Sequence, residues 1–374
     1  MDRNDPDRLD KLEEGLKAFG EVSGNPKDRL AEVEPFFEEV EVDPFELYLL
    51  EDRHEKITEE SYNHWKRAFK QWKDFMTAQN RHPACPSRTH VSKFVVFQRD
   101  DLGNTEGDVK KKLFYVNAAY KWMQDDERFK TPTDFNPFNK WLRRGRLDTG
   151  KIERSFPRVS IEELRERVGA ITNIRERAVT VTHLKTGIRS SELGNINLRD
   201  INIKHPEVRE HYPQIGTHPK NEEHPNSVYI PSERSGNKRE VSTILPLDEE
   251  TRQCIVDWLL IRPDNGKEAL FFTEKGKRIS RTDIYYMWQK YWWPDYKFDE
   301  DDEYDSITPH FARHWFTTWF RNQDVPEVKV KYMRGDKTNA SNQSSAIDLY
   351  IHGYYEDIED IYREKVFPLR LRMV

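Results

Sequence analysis

The feature that most constrains the fold is a run of large aromatic side chains at helical spacing. The residues recur at intervals of three or four and are Tyr62, Trp65, Phe69, Trp72 and Phe75. This spacing places them on one face of an α-helix. Thr58 is a start signal, and the acids Glu59 and Glu60 follow it in the first turn, where the helix dipole favours them. Such a stripe predicts a helix packed into a core, rather than a surface for stacking bases.

Three further helical segments accompany this one. They are expected after Pro86, from near Thr105, and over residues 138–142. Together they predict an all-helical domain over residues 45–143. Residues 1–44 are dense in acids without a sustained period, which predicts an acidic N-terminal extension. The basic run at 143–146 begins a predicted linker, residues 144–159.

The remaining residues, 160–374, predict a second domain of mixed structure. Ser160 and Glu163 have the spacing of a capping box, so a helix should begin there. Segments 227–231 and 240–247 are β-branched and apolar enough for two strands, joined by the turn-rich residues 232–238. Further helices are expected at 174–186, 250–261, 282–291, 310–323 and 356–365. The fold class is therefore predicted to be mainly α with a small antiparallel β-sheet.

The distribution of charge permits a nucleic-acid partner although the net charge is -6. The first 50 residues hold 15 acids and 6 bases, so the rest of the chain carries a net charge of +3. Residues 299–305 concentrate six more acids, which leaves the remainder basic. Because phosphate neutralisation dominates affinity for DNA, this basic remainder matters more than the sum.

Composition argues against membrane, disulfide and metal-centred classes. No apolar run approaches the eighteen or so residues of a membrane span, and the N-terminus is acidic, so a cytoplasmic location without membrane contact is expected. Cys85 and Cys254 are the only cysteines and stand far apart. We interpret both as buried thiols, with no disulfide framework or thiolate metal site.

Two short boxes carry chemistry. The first is Thr186-Gly-Ile-Arg-Ser-Ser-Glu-Leu193, in which Arg189 could simply pair with Glu192 on the next helical turn. The second is Thr308-Pro-His-Phe-Ala-Arg-His-Trp-Phe316, in which His310 and Arg313 share one helix face. In this order and about 120 residues apart, the boxes resemble the T-G-x-R-x-S-E-L and H-x-x-R-H motifs of the tyrosine recombinase (phage integrase) family.

The resemblance implies a lysine on the β-hairpin between the boxes. Lys238 matches best because it lies at the far side of the turn, just before the second strand. Arg234 and Arg239 remain alternatives, and a basic turn is also a common surface feature.

The resemblance also implies a nucleophilic tyrosine near the C-terminus. Tyr350, followed by His352, resembles the Y-x-H segment of the family, with Tyr354 and Tyr355 as alternatives. The family's L-G-H motif is replaced by Arg334-Gly-Asp336, so Asp336 stands where a His or Trp is expected.

These matches imply a site-specific recombinase or integrase of a mobile element, with residues 45–143 as its core-binding domain and residues 160–374 as its catalytic domain. Four protomers would act on two DNA duplexes, with accessory DNA-bending proteins possible. DNA would be cut through a covalent 3′-phosphotyrosine without metal or nucleotide cofactor. Arg189 and Arg313 would bind the phosphate, Lys238 would protonate the leaving 5′-oxygen, and His310 would act as base or hydrogen-bond donor.

Two other readings stay open. The missing L-G-H motif favours a catalytically degenerate integrase that only binds DNA. A type IB topoisomerase shares the same chemistry, although the first box favours a recombinase. Trapping on nicked DNA separates them, because only an active enzyme leaves a covalent adduct and only a recombinase exchanges strands.

Overall fold

The chain forms two compact units, Met1–Ile152 and Glu153–Val374. The computed structural model describes residues 28–39, 42–142, 154–299, 302–336 and 355–371, together with Lys11, Gly15 and Leu147. The division between the units falls within the predicted linker 144–159. Among the described helices, none is long and apolar enough to cross a membrane.

The first unit is helical throughout its described part. Its helices are α1 (Glu34–Glu39), α2 (Pro44–Tyr48), α3 (Glu59–Ala78), α4 (Arg88–Val96), α5 (Glu106–Asp125) and α6 (Asn139–Leu142), with π-helical turns at Leu49–Arg53 and Phe97–Asp101.

The core of the first unit is built on the predicted aromatic stripe. Thr58 caps α3 by accepting a hydrogen bond from the backbone of Ser61. Trp72 is fully buried, and its indole N–H donates to the carbonyl of Pro83 at 2.9 Å, so its one polar group is satisfied. Leu30 and Phe37, from the predicted N-terminal extension, are also buried in this core.

The second unit combines helices with a small sheet. Its helices are α7 (Ile161–Gly169), α8 (Ile174–Thr186), α9 (Ser190–Gly194), α10 (Pro206–His211), α11 (Glu249–Ile261), α12 (Arg281–Tyr296), α13 (His310–Asn322), α14 (Glu327–Arg334) and α15 (Tyr355–Lys365). A 3₁₀ turn, Leu198–Asp200, leads into β1 (Ile201–Asn202), which is followed by β2 (Ser227–Ile230) and β3 (Thr243–Pro246). The antiparallel sheet has the order β1-β2-β3, and Ile230 pairs with Thr243 where the hairpin opens.

The predicted fold class is confirmed, with local corrections. The second strand begins at Thr243 rather than residue 240, because Arg239 turns into the interior instead of joining the sheet. At Ser160 the capping box is incomplete, since the Glu163 carboxylate binds Arg167 rather than the cap backbone. Helix α12 continues beyond residue 291 to include Pro294, because Trp292 is buried in the core.

Candidate active site

The two sequence boxes meet at the end of α8. Gly187 ends this helix with a left-handed φ of 61°, and a Cβ there would lie 2.6 Å from ring atoms of Phe316. Only glycine satisfies both the backbone turn and this close approach. The carbonyl of Gly187 accepts a hydrogen bond from Nη1 of Arg313 at 2.9 Å. The turn therefore joins the first box directly to the helix that carries the second.

The Glu192 carboxylate orients the Arg189 guanidinium. Its carboxylate is fully buried and accepts from the backbone N–H of Arg189 at 2.9 Å and from Nη1 at 3.1 Å. The expected Arg189–Glu192 pair therefore forms. It uses only one side of the guanidinium, since Nη2 donates to Asp336 at 3.0 Å. A second guanidinium, that of Arg239, lies 3.7 Å from the same carboxylate.

Arg313 is almost completely buried, with 3% of its surface exposed. Its Nη1 donates to the carbonyls of Gly187 and Arg334, and its Nη2 donates to Oδ1 of Asp336. Arg189 donates to the same Oδ1 atom. The two predicted arginines, 124 positions apart in sequence, thus converge on one anionic oxygen.

Asp336 lies at the centre of this cluster. Helix α14 ends at Gly335, whose φ of 68° turns the chain so that Asp336 faces the arginines. Its second oxygen, Oδ2, lies 3.0 Å from Nη2 of Arg334. Sequence reasoning placed Asp336 here as the replacement for a His or Trp but assigned Arg334 no role. The only signal for Arg334 was a cation adjoining Gly335.

The site carries an excess of positive charge. Four guanidiniums, those of Arg189, Arg239, Arg313 and Arg334, face two carboxylates, those of Glu192 and Asp336, which gives a net charge of +2. Burial lowers the pKa of Arg313 to about 10, and Arg334 and Arg189 add to that effect. Arg313 still remains protonated at neutral pH. Such a cluster favours binding of an anion.

Two histidines flank the cluster on α13. His310 and His314 are exposed, and both rings lie near Phe156, with centroids 6.2 Å and 5.6 Å away. Partial burial of its ring, followed by the charges of Arg313 and Arg334, lowers the pKa of His310. A neutral imidazole results at pH 7, which can accept a proton.

The hairpin turn is fastened to the site on both sides of Lys238. Asn195, just after α9, donates to the carbonyl of Ser235 at 3.0 Å and to Oδ1 of Asn237 at 2.9 Å. On the other side, the backbone N–H of Glu240 donates to the carbonyl of Gly335 at 2.9 Å.

The three candidate cations of the turn differ in their surroundings. Arg234 forms a two-pronged ion pair with the buried Asp200. Arg239 is 5% exposed beside Glu192. Lys238 is exposed, and its ammonium makes no hydrogen bond or ion pair with the described part of the chain.

The proposed nucleophile Tyr350, together with His352 and Tyr354, lies outside the described residues. The alternative Tyr355 begins α15 and is 4% exposed. Its hydroxyl donates to Glu359 at 3.1 Å, and its ring packs against that of His224 at a tilt of 38°, with centroids 4.3 Å apart. Burial raises the pKa of this phenol. These contacts indicate a packing role for Tyr355.

Neither metal nor thiol chemistry is suggested by the described side chains. Within the residues described above, no group of three or more His, Cys, Asp or Glu side chains could hold a metal ion. Cys85 and Cys254 are buried free thiols, and burial raises the pKa of each to about 12.

Comparison with known proteins identifies the family of the chain. The phage integrase family matches residues 158–355, more than half of the chain. The tyrosine recombinase XerC of Roseiflexus castenholzii (strain DSM 13941 / HLO8) is 24% identical over 225 residues, which cover 56% of this chain and 60% of that protein. The chain thus spans less than two thirds of the length of this relative.

Solved structures share the fold. The integrase of transposon Tn1549 in complex with transposon right end DNA has a TM-score of 0.54 at 17% identity, covering 86% of this chain and 99% of that one. A lambda integrase dimer bound to a COC′ core site has a TM-score of 0.56 at 13% identity, covering 79% and 74%. The resemblance predicted from the two boxes is confirmed, and the chain belongs to the phage integrase family.

Proposed function

We propose that this chain is a site-specific DNA recombinase that cuts and rejoins strands through a covalent 3′-phosphotyrosine. The observation that carries the proposal is the convergence of Arg189 and Arg313 on a single anionic oxygen, Oδ1 of Asp336. A non-bridging phosphate oxygen held in the same way would keep both guanidiniums on the charge that develops in the transition state. Preorganised donors of this kind supply the largest part of many rate enhancements.

The remaining steps concern the proton and the leaving group. The hydroxyl oxygen of Tyr350 attacks phosphorus, and its proton passes to the neutral imidazole of His310, whose pKa is lowered by partial burial and by cations. The P–O5′ bond breaks, and the 5′-oxygen takes a proton from Lys238. A 5′-hydroxyl of another strand then attacks the phosphotyrosine and gives its proton to the neutral Lys238, while the P–O bond to Tyr350 breaks and its oxygen regains the proton from His310. Splitting the exchange in two conserves the energy of the phosphodiester.

The wider assignments follow from the family resemblance. Residues 45–143 act as a core-binding domain on double-stranded DNA, and residues 160–374 form the catalytic domain. Four protomers assemble on two duplexes, as the solved lambda integrase tetramer does on a Holliday junction. Accessory DNA-bending proteins and a cytoplasmic location belong to the same proposal.

Covalent trapping tests the proposal without knowledge of the target site. The full chain is incubated in EDTA with a library of randomised duplexes that carry one nick. Cleavage beside the nick releases a short fragment, so religation cannot occur and the enzyme stays covalently attached to the DNA. Adducts that survive denaturant are recovered and their DNA is sequenced. We expect one recurrent sequence, with the protein attached to its 3′-phosphate.

The outcomes separate the candidate functions. A degenerate integrase would enrich a sequence by binding but leave no covalent adduct. A topoisomerase would leave adducts and relax supercoils without exchanging strands between two copies of the recovered site. A strict requirement for a divalent metal would overturn the assignment, because Arg189 and Arg313 take the place of the metal.

A further inference from the structure

Arg334, like Arg239, is a guanidinium of the cluster that neither sequence box contains. It lies in the last turn of α14, and its Nη2 is 3.0 Å from Oδ2 of Asp336. The positive charge of Arg334 acts on other residues of the site, since it contributes to lowering the pKa of His310, of His314 and of Arg313. Arg334 therefore belongs to the site electrostatically as well as by contact.

The Asp336 carboxylate is held in the way a phosphodiester would be. One of its oxygens receives Arg189 and Arg313, and the other receives Arg334. A phosphodiester likewise presents two adjacent non-bridging oxygens that share one negative charge. Three guanidiniums around two oxygens are arranged for an anion of this shape.

The backbone beneath Arg334 is fixed from two directions. Its carbonyl accepts from Nη1 of Arg313 at 3.1 Å. The next residue, Gly335, packs so closely on the Arg239 guanidinium that any Cβ there would overlap it. The Nε atom of Arg334 is buried without a hydrogen-bond partner among the described residues. Arg334 thus has an N–H donor, at Nε, that is not yet used, and its backbone is held in place. Preorganised phosphate binding requires both.

We propose that Arg334 is a third phosphate-binding guanidinium of the active site, and that the Asp336 carboxylate occupies the phosphate position until DNA enters. This inference rests on the proposed function. The phosphate and the Asp336 carboxylate cannot occupy the same position between Arg189, Arg313 and Arg334, so Asp336 withdraws as the scissile phosphate arrives. Three guanidiniums then face a transition state whose non-bridging oxygens carry most of the charge.

The first test compares Arg334→Gln with Lys331→Gln. Lys331 lies on the same helix and pairs with Glu327, so the control removes the same charge outside the cluster. Single-turnover adduct formation is measured on the duplex recovered by trapping. We expect Arg334→Gln to slow it about 10²-fold, as loss of one preorganised donor does, with Lys331→Gln near the wild-type rate. Equal rates for the two variants would overturn the proposal.

A second substrate distinguishes phosphate binding from a structural role. The same duplex is made with a methylphosphonate at the scissile position, which is neutral and needs fewer cations. The deficit of Arg334→Gln relative to wild type should then shrink to a few-fold. A deficit of the same size on both substrates would mean that Arg334 only supports the fold.

A double-mutant cycle shows whether Arg334 acts only by holding Asp336. In an Asp336→Asn background, which keeps the side-chain size but removes its charge, Arg334→Gln should still lose about 10²-fold. If the loss disappears there, Arg334 acts only through Asp336 and the proposal fails. The proposed function fails separately, by the absence of any wild-type adduct.

Discussion

The two units of the chain treat charge in opposite ways. In the described part of the first unit, the buried polar residues are all uncharged, and they are Ser92, Gln98, Asn117 and Thr131. The second unit buries six charged side chains in its described part, and they are Lys185, Glu192, Asp200, Arg239, Arg262 and Arg313. Both units nevertheless have extensive apolar cores.

We attribute this difference to two roles: the interior of the first unit only stabilises a fold, whereas that of the second unit also holds the proposed catalytic residues. A buried charge is costly unless it is paired, and a well-packed apolar group is often at least as stabilising. Three of the six buried charges, Glu192, Arg239 and Arg313, surround the candidate site, and Asp200 fastens the hairpin through Arg234. Half of the buried charges of the second unit therefore lie at the candidate site, where we propose that an anion is bound.

The largest expected effect concerns the nucleophile. Tyr350→Phe removes one hydroxyl and keeps the ring, so the protein should still bind DNA but form no adduct. Tyr354→Phe and Tyr355→Phe should form adducts, the latter because its hydroxyl is already bonded to Glu359. Trapping on the recovered duplex measures all three. Adduct formation by Tyr350→Phe would move the nucleophile elsewhere.

The next largest effect tests the two arginines of the sequence boxes. Arg189→Ala and Arg313→Ala should each slow cleavage by at least 10²- to 10³-fold, because each removes a donor to the transition state. Most DNA binding should remain, since only one of many phosphate contacts is lost. Cleavage rates and gel-shift affinities measure the two effects separately.

Arg321→Ala is the matched control, because Arg321 is an exposed residue of the same helix, α13. It should cut at close to the wild-type rate. If the two site variants bind DNA as poorly as they cut it, Arg189 and Arg313 serve only as anchors, and the contrast between the units loses its catalytic meaning.

Sequence alone predicted the long helices because their signals are local. Helix α8 was predicted over residues 174–186, its observed bounds. Helix α14 was missed because its Val-Lys-Val-Lys alternation is typical of a strand, whereas burial of Val330 and Met333, three residues apart, selects a helix. Strand β1 has two residues and forms only by pairing with β2.

The residues of the candidate site likewise differ in whether the local sequence predicts them. Arg189 and Arg313 stand in motifs that can be recognised by their neighbours in sequence. Arg334 is one of 61 basic residues, and nothing local distinguishes it. Its place in the site depends on the αL turn at Gly335 and on the contact with Asp336, both of which exist only in the folded chain.

A smaller effect concerns a buried charge away from the site. The Lys185 ammonium is fully buried between Asp248 and Glu250. Lys185→Ala leaves both carboxylates without a cation and should destabilise the second unit by about 3–5 kcal/mol. Lys331→Ala, which breaks the i,i+4 pair with the exposed Glu327, should cost less than about 1 kcal/mol.

Amide hydrogen exchange on the full chain follows each unit separately. Protection of α11 should fall in Lys185→Ala while protection of α3 is unchanged. A loss of protection spread equally over both helices would contradict the prediction, because the charge is buried in the second unit alone.

The smallest expected effect is a pH dependence of the second unit. His183 is 1% exposed on α8, and its ring packs edge-on against Trp288. Burial lowers its pKa to about 3, although a hydrogen bond with the Ile188 backbone opposes the shift. Between pH 6.5 and pH 3 the unfolded chain, with a histidine pKa near 6.5, therefore binds a proton at residue 183 that the folded chain does not bind. Stability contributed by neutral His183 is present above pH 6.5 and is lost as the pH falls toward 3. By pH 5 the loss should reach about 2 kcal/mol, at about 1.4 kcal/mol per pH unit.

Hydrogen exchange at pH 7 and pH 5, corrected for the intrinsic rate, should show this loss in α8 and α11, and His183→Gln should reduce it. An unchanged pH dependence of α8 and α11 in His183→Gln would assign the loss to other groups.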